Sequence, residues 1–400
     1  MTEHMPQGFR LAGLHCGLKR DERKDIALLV SDAPCTAAGV FTANLVKAAP
    51  VLRDQAILAG HGARVRAVLA NTGSANACTG EPGLRDARTS AERAAALLGC
   101  TPDEVLTLST GVIGLPLDMV VMEQGIAGLV PALRPDGWAD AAAAIMTTDT
   151  RPKLASVQQG GYTITGIAKG AGMIAPNMAT MLSVVLTDAA ITPAALDRAL
   201  RHAVDRSFNA VTVDGDTSTN DTLALLANGA AGNASLTPDS ADFMAFQHAL
   251  TTVCLSLAQQ IVRDGEGATK FAAITVSGAA SDADARLAAK AVAHSPLVKT
   301  ALYGGDANWG RILAAVGYSG AQVDPDRVAL HFGSAAFNLT PLQVVAAGQP
   351  LPYDEAAATA RFTQPEIEVL IELGLGAGQA TVWTCDLSHA YVDINGHYRT

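Results

Sequence analysis

Residues 169–182, Lys-Gly-Ala-Gly-Met-Ile-Ala-Pro-Asn-Met-Ala-Thr-Met-Leu, combine close-spaced glycines, a Pro176-Asn177 turn and an Ala179-Thr180 step. Met181-Leu-Ser-Val-Val-Leu186 follows as an apolar, partly β-branched run, which predicts a buried strand. A hydroxyl at the first position of a strand, presented by a tight turn, has its direction set by the turn and its place set by the strand. A nucleophile needs both. An ordinary loop before a core strand has the same local pattern, so the rest of the chain has to decide.

Two other stretches could serve such a nucleophile. Residues 104–108 read as a strand that meets Ser109-Thr-Gly-Val-Ile-Gly114, where Thr110 Oγ and the Gly111 N–H can point at one place. That is the requirement of an oxyanion hole, and a plain strand-to-helix turn is the competing reading. Residues 63–70 read as another strand, running into the small polar loop Asn71–Gly80, which either lines a site or simply turns the chain. Glu266 stands between two glycines as the one substantial side chain on a thin loop, or as a solvated charge.

If Thr180 is a nucleophile, its base must come from elsewhere, because no Ser-x-x-Lys or G-x-S-x-G pattern accompanies it. A threonine at a chain start supplies its own base, the α-amine. Such an amine has a pKa of ~7.7–8.0, against ~10.4 for lysine, and is partly neutral near pH 7. Residue 180 gains that amine only if the Ala179-Thr180 bond is cut, by an N→O acyl shift and hydrolysis of the resulting ester.

The elements that must carry these residues alternate between strand and helix. Strands are expected at 25–31, 63–70, 104–108, 162–168, 181–186, 270–277, 327–332, 366–373 and 380–387. Helices are expected at 86–98, 117–129, 138–146, 193–202, 241–262, 281–294 and 295–303. Ser218 or Thr219 is expected to cap a further helix over 221–227, and the alternating residues 391–400 are expected to form an anchored end. A large layered α/β core over 1–280 and a smaller α/β domain over 281–400 are the expected organisation.

Several functions are excluded. Asp214, Asp216 and Ser218 resemble a calcium loop, but Thr219 and Leu225 stand where Gly and Glu are needed. Residues 263–270 lack phosphate-loop spacing, and Gly374-Leu-Gly-Ala-Gly378 lacks the third glycine of a dinucleotide fingerprint. The histidines show no metal-ligand spacing. A formal net charge of −10 argues against nucleic acid or an anionic membrane. Hydrophobic residues make up 49% and charged residues 16%, enough for a large core, yet no apolar stretch reaches membrane-spanning length. Six scattered cysteines and no secretory signal predict reduced thiols and a cytoplasmic protein.

Taken together, residues 169–182, 71–80, 109–114, 207–221, 306–320 and 383–400 resemble the ornithine acetyltransferase family of arginine biosynthesis, and the resemblance spans essentially the whole chain. It implies a layered α-β-β-α sandwich of the self-cleaving acetyltransferase and aminopeptidase type. Thr180 would act as nucleophile, with cleavage between Ala179 and Thr180 giving chains 1–179 and 180–400. Thr110 and Gly111 would form the oxyanion hole, and Thr147, Lys169, Thr180, Glu266, Asn395 and Thr400 the substrate site. The implied reaction is ping-pong transfer of acetyl from N-acetyl-L-ornithine to L-glutamate by a heterotetramer of two of each fragment. No cofactor or metal is implied, and acetyl-CoA is a possible second donor. Ala171 and Gly396-His397 depart from the family's commoner residues without touching the proposed chemistry. The alternative is an N-terminal-nucleophile aminopeptidase or amidase of similar fold.

Overall fold

The computed structural model describes residues 4–61, 64–175, 181–333 and 340–397. Ala179, Thr180 and Thr400 lie outside the described residues, and with them the expected cleavage site and chain end. The chain divides into two units, Met1–Asn209 with Asp216–Ile261 and Ala210–Gly215 with Val262–Thr400.

In the first unit β1 (Phe9–Leu14) pairs antiparallel with the first part of β2 (Ile26–Phe41). There follow α1 (Ala49–His61), β3 (Val65–Asn71), α2 (Gly80–Leu98), β4 (Val105–Ser109), α3 (Met119–Ala132) and α4 (Trp138–Ala144). The hairpin β5 (Lys153–Gln159) and β6 (Tyr162–Lys169) leads to β7 (Leu182–Thr187), α5 (Pro193–Asp205), β8 (Thr222–Ala227) and α6 (Phe243–Arg263). The strands form one sheet in the order β4-β3-β2-β8-β7-β6-β5.

The long strand β2 makes this sheet two-layered. Its residues 26–30 pair with β3, its residues 36–41 pair with β8, and the register shifts between Val30 and Cys35. A shift of that kind bends a strand and re-aims its second half. On one face of the first half, Ile26, Leu28, Leu69 and Val105 pack on Ala91, Ala94 and Ala95 of α2 and on Met122, Ile126 and Leu129 of α3. On the other face, Ala27, Leu29, Val68 and Leu106 share a core with Ile167, Leu182, Val184 and Leu226 of the second half, and with Trp138 of α4. Along the second half lies α6, whose Gln260 amide donates to the Leu154 carbonyl of β5. The result is a layered α-β-β-α sandwich. Each fully buried Leu or Ile contributes about 1.5–3 kcal/mol to it.

In the second unit come β9 (Phe271–Ala279), α7 (Asp282–His294), α8 (Pro296–Gly304), α9 (Trp309–Gly317), β10 (Ala329–Phe332), β11 (Leu342–Ala346), β12 (Gln349–Pro350), α10 (Glu355–Phe362), β13 (Glu366–Glu372), β14 (Gly378–Cys385) and α11 (His389–Gly396). Its sheet runs β12-β11-β10-β13-β9-β14. The alanines of α7 (Ala285, Ala288, Ala289, Ala293) pack into one core with Ile274, Val369 and Val382. Their small side chains let the helix approach the sheet closely.

Three expectations need correction. Residues 222–227 form a strand, not a helix: Leu and Ala favour helix in isolation, but all six residues are buried between β2 and β7, and pairing decides. The boundary falls at 261/262 rather than near 280, because β9 pairs with β13 and β14. Residues 389–396 form the helix α11 rather than an alternating stretch, and none of them is buried; residues 398–400 lie outside the described residues. Among the described residues, no helix is long and apolar enough to cross a membrane.

Candidate active site

Parallel pairing aligns Asn71 at the end of β3 with Ser109 at the end of β4. Two loops therefore leave the sheet side by side and are knitted together. Ser109 Oγ donates to Asn71 Oδ1 at 2.6 Å, and the Asn71 amide donates to the Ser74 carbonyl at 3.1 Å. The Thr110 N–H donates to Asn71 O at 3.0 Å, and the Val112 N–H donates to Gly73 O at 3.1 Å. Gly111 has a φ of 134°, and a Cβ there would lie 2.4 Å from the Gly73 carbonyl carbon. Only glycine fits that position. Among the described residues, neither the Thr110 hydroxyl nor the Gly111 N–H makes a hydrogen bond. Two donors held by a rigid double loop and left uncommitted are what an oxyanion requires.

The end of β6 carries Lys169, buried and paired across the sheet with Leu182. Its Nζ lies 3.5 Å from Thr147 Oγ1. The carboxylate that organises this corner, Asp149, was not singled out in the sequence. It accepts the Thr147 N–H at 2.9 Å and the Gly170 N–H at 2.7 Å, and pairs with Lys153 at 2.5 Å. Burial opposes its charge, but Lys153, Lys169 and the Gly170 N–H outweigh that cost and hold the carboxyl below the usual carboxylate range. Lys19, also missed, donates to the Met146 carbonyl at 2.7 Å, and burial pulls its ammonium down to about 8. The visible signal for Asp149 was a lone acid in Thr147-Thr-Asp-Thr150 ahead of two lysines, Lys153 and Lys169.

In the second unit, Glu266 and Asn395 meet across 129 residues of sequence: Asn395 Nδ2 donates to Glu266 Oε2 at 2.7 Å. Glu266 is buried, so its loop is not simply a solvated charge. Asp386 fixes that loop by accepting the Thr269 and Lys270 N–H groups. Gly267, with φ of 69°, lets the start of α11 approach, since a Cβ would sit 2.6 Å from the Tyr391 nitrogen. Among the described residues, no group of three or more His, Cys, Asp or Glu side chains is placed to hold a metal ion.

A layered α/β sheet with two uncommitted donors at one strand end and a buried lysine at another fits an acyl-transferring enzyme. The chain belongs to the ArgJ family, whose model matches residues 10–400. It is 53% identical over 401 residues to the arginine biosynthesis bifunctional protein ArgJ of Symbiobacterium thermophilum, covering 99% of this chain and 98% of that one. The protein of the same name from Geobacter sulfurreducens is 53% identical over 399 residues, 98% of this chain and 99% of its own. The crystal structure of arginine biosynthesis bifunctional protein argJ from Bacillus halodurans is similar with a TM-score of 0.51 and 43% identity, over 54% of this chain and 99% of that chain.

Proposed function

We propose that the chain cleaves itself between Ala179 and Thr180 and then carries acetyl from N-acetyl-L-ornithine to L-glutamate on the Thr180 hydroxyl. The observation that carries this reading is the uncommitted pair Thr110 Oγ and Gly111 N–H, in a member of the ArgJ family whose relatives are named for arginine biosynthesis. In the first event Thr180 Oγ attacks the Ala179 carbonyl carbon, the C–N bond breaks, and the ester formed is hydrolysed to a free Ala179 carboxylate and a free Thr180 amine. That amine then takes the Oγ proton as Oγ attacks the acetyl carbonyl. Ornithine leaves with the proton on its α-nitrogen, and the glutamate amine attacks the acetyl ester to restore the hydroxyl. Thr110 and Gly111 stabilise the oxyanion of both steps.

Lys169, next to Thr147, supplies a cation for the α-carboxylate that both substrates share. Glu266 with Asn395 holds the ammonium end of ornithine, and Thr400 also contacts substrate. Cleavage gains support from the Bacillus halodurans chain, which matches 54% of these 400 residues, or 216, along nearly all its length. A fragment 180–400 has 221 residues. Two copies of each fragment form the assembly we propose, and the word bifunctional in the relatives' names favours acetyl-CoA as a second donor to glutamate.

Intact mass and amino-terminal sequencing of the purified protein test the first claim: two fragments starting at residues 1 and 180 are expected, and a single uncleaved active chain refutes it. Isotope-labelled acetylornithine with glutamate tests the second. Labelled acetylglutamate is expected, whereas labelled acetate alone identifies the amidase alternative.

A further inference from the structure

We propose that Asn220 is a positioning residue that aims the Thr110 and Gly111 donors, a role that rests on the oxyanion reading above. Asn220 is buried, and its Nδ2 donates to Ser109 O at 2.7 Å and to Ala75 O at 2.6 Å. Its Oδ1 accepts the Thr219 hydroxyl at 2.5 Å. Both amide hydrogens thus face carbonyls and the oxygen faces a donor, so the amide is used at every site that it can offer in this direction.

The Ser109 carbonyl belongs to the peptide unit whose N–H is Thr110's, and that N–H is itself held by Asn71 O at 3.0 Å. A peptide unit is planar, so clamping its carbonyl and its N–H on opposite sides fixes its tilt, and the tilt sets where Thr110 and Gly111 point. The second hydrogen bond, to Ala75, secures the neighbouring loop on which Gly111 rests. The same short segment reaches the nucleophile's strand: the Thr222 N–H donates to Met181 O at 3.0 Å, and Thr222 pairs with Leu182. Asn220 therefore stands in a segment bonded both to the donor loops and to the residue after position 180.

Asn220→Asp keeps the shape but turns an oxygen toward two carbonyls, and Asn220→Ser is a milder change that keeps one hydroxyl donor. For wild type and both variants, kcat and KM for acetyl transfer from N-acetyl-L-ornithine to L-glutamate are measured, together with ornithine binding by calorimetry. An ångström of misplacement costs about 100-fold in rate. The expectation is therefore a kcat about 100-fold lower in Asn220→Asp and a smaller loss in Asn220→Ser, with KM and the ornithine dissociation constant within about twofold of wild type. An unchanged kcat, a loss matched by lost ornithine binding, or insolubility of both variants would overturn the proposal and leave Asn220 a purely structural residue. A wild type that makes no acetylglutamate fails the parent reading, and this one falls with it. An active wild type beside an equally active Asn220→Asp fails this one alone.

Discussion

In the first unit the candidate residues sit at the ends of paired strands, whereas in the second they sit on a loop and on a helix without a buried side chain. Thr110 and Gly111 follow directly from β4, and Lys169 ends β6, so each inherits its place from a ladder of backbone hydrogen bonds and a core on both faces. Glu266 and Asn395 are held by a few polar contacts, chiefly Asp386 below the loop and the 2.7 Å bond between the two side chains. Ladders resist displacement collectively, while a lone contact yields to a small force. On the proposed function the difference is a division of labour: groups around the reacting acetyl and the α-carboxylate need fixed geometry, and groups that recognise a substrate's far end tolerate some play.

The widest gap between the two regions should appear in stability. Trp138 is fully buried in α4 and Val392 is exposed on α11. Trp138→Ala should cost about 3–5 kcal/mol in chemical denaturation, and Val392→Ala less than about 0.5 kcal/mol; similar costs would erase the comparison. Next, Gly111→Ala forces a Cβ against Gly73 and should lower kcat about 10²–10³-fold with KM little changed. A mainly raised KM would move Gly111 from chemistry to binding. Smaller still, Asn395→Ala removes one hydrogen bond to a charged group, about 1.5 kcal/mol, and should raise KM for acetylornithine about tenfold while kcat holds. A fall in kcat alone would break the proposed division.

An effect of a different kind concerns pH and the outer edge of β4. Asp54 of α1 is buried and accepts the Thr107 N–H, and burial pushes its carboxyl up to about 7 despite Arg53 beside it. Folded, it keeps its proton up to about 7; unfolded, it releases it near 3.8. Its contribution is therefore fully present below about 4 and lost as the pH rises toward 7. Asp54→Asn should flatten that part of the stability profile, and urea midpoints at several pH values that fall equally in both proteins would rule the titration out.

Much of this organisation was legible in the sequence. The strand over residues 182–187, the strand ahead of Ser109-Thr-Gly111 and the strand that delivers Lys169 all follow from apolar runs ended by glycine or small polar residues, and such signals are local. Residues 222–227 were misread because Leu and Ala describe a helix until two strands flank them. Asp149 was missed because a single acid carries no spacing, and its meaning comes from Lys153, Gly170 and Thr147 converging on it.

The sequence by itself singled out the candidates: a threonine after a Pro-Asn pair, a Thr-Gly pair after a strand, a lysine at a strand end, a glutamate between glycines. Those are properties of residue type and near neighbours. Only the tertiary structure decided which of them meet. It brought Lys169 to Thr147, Glu266 to Asn395 and Asn220 to the Ser109 carbonyl, because contacts across 22, 129 and 111 residues depend on strand order and register rather than on any local pattern.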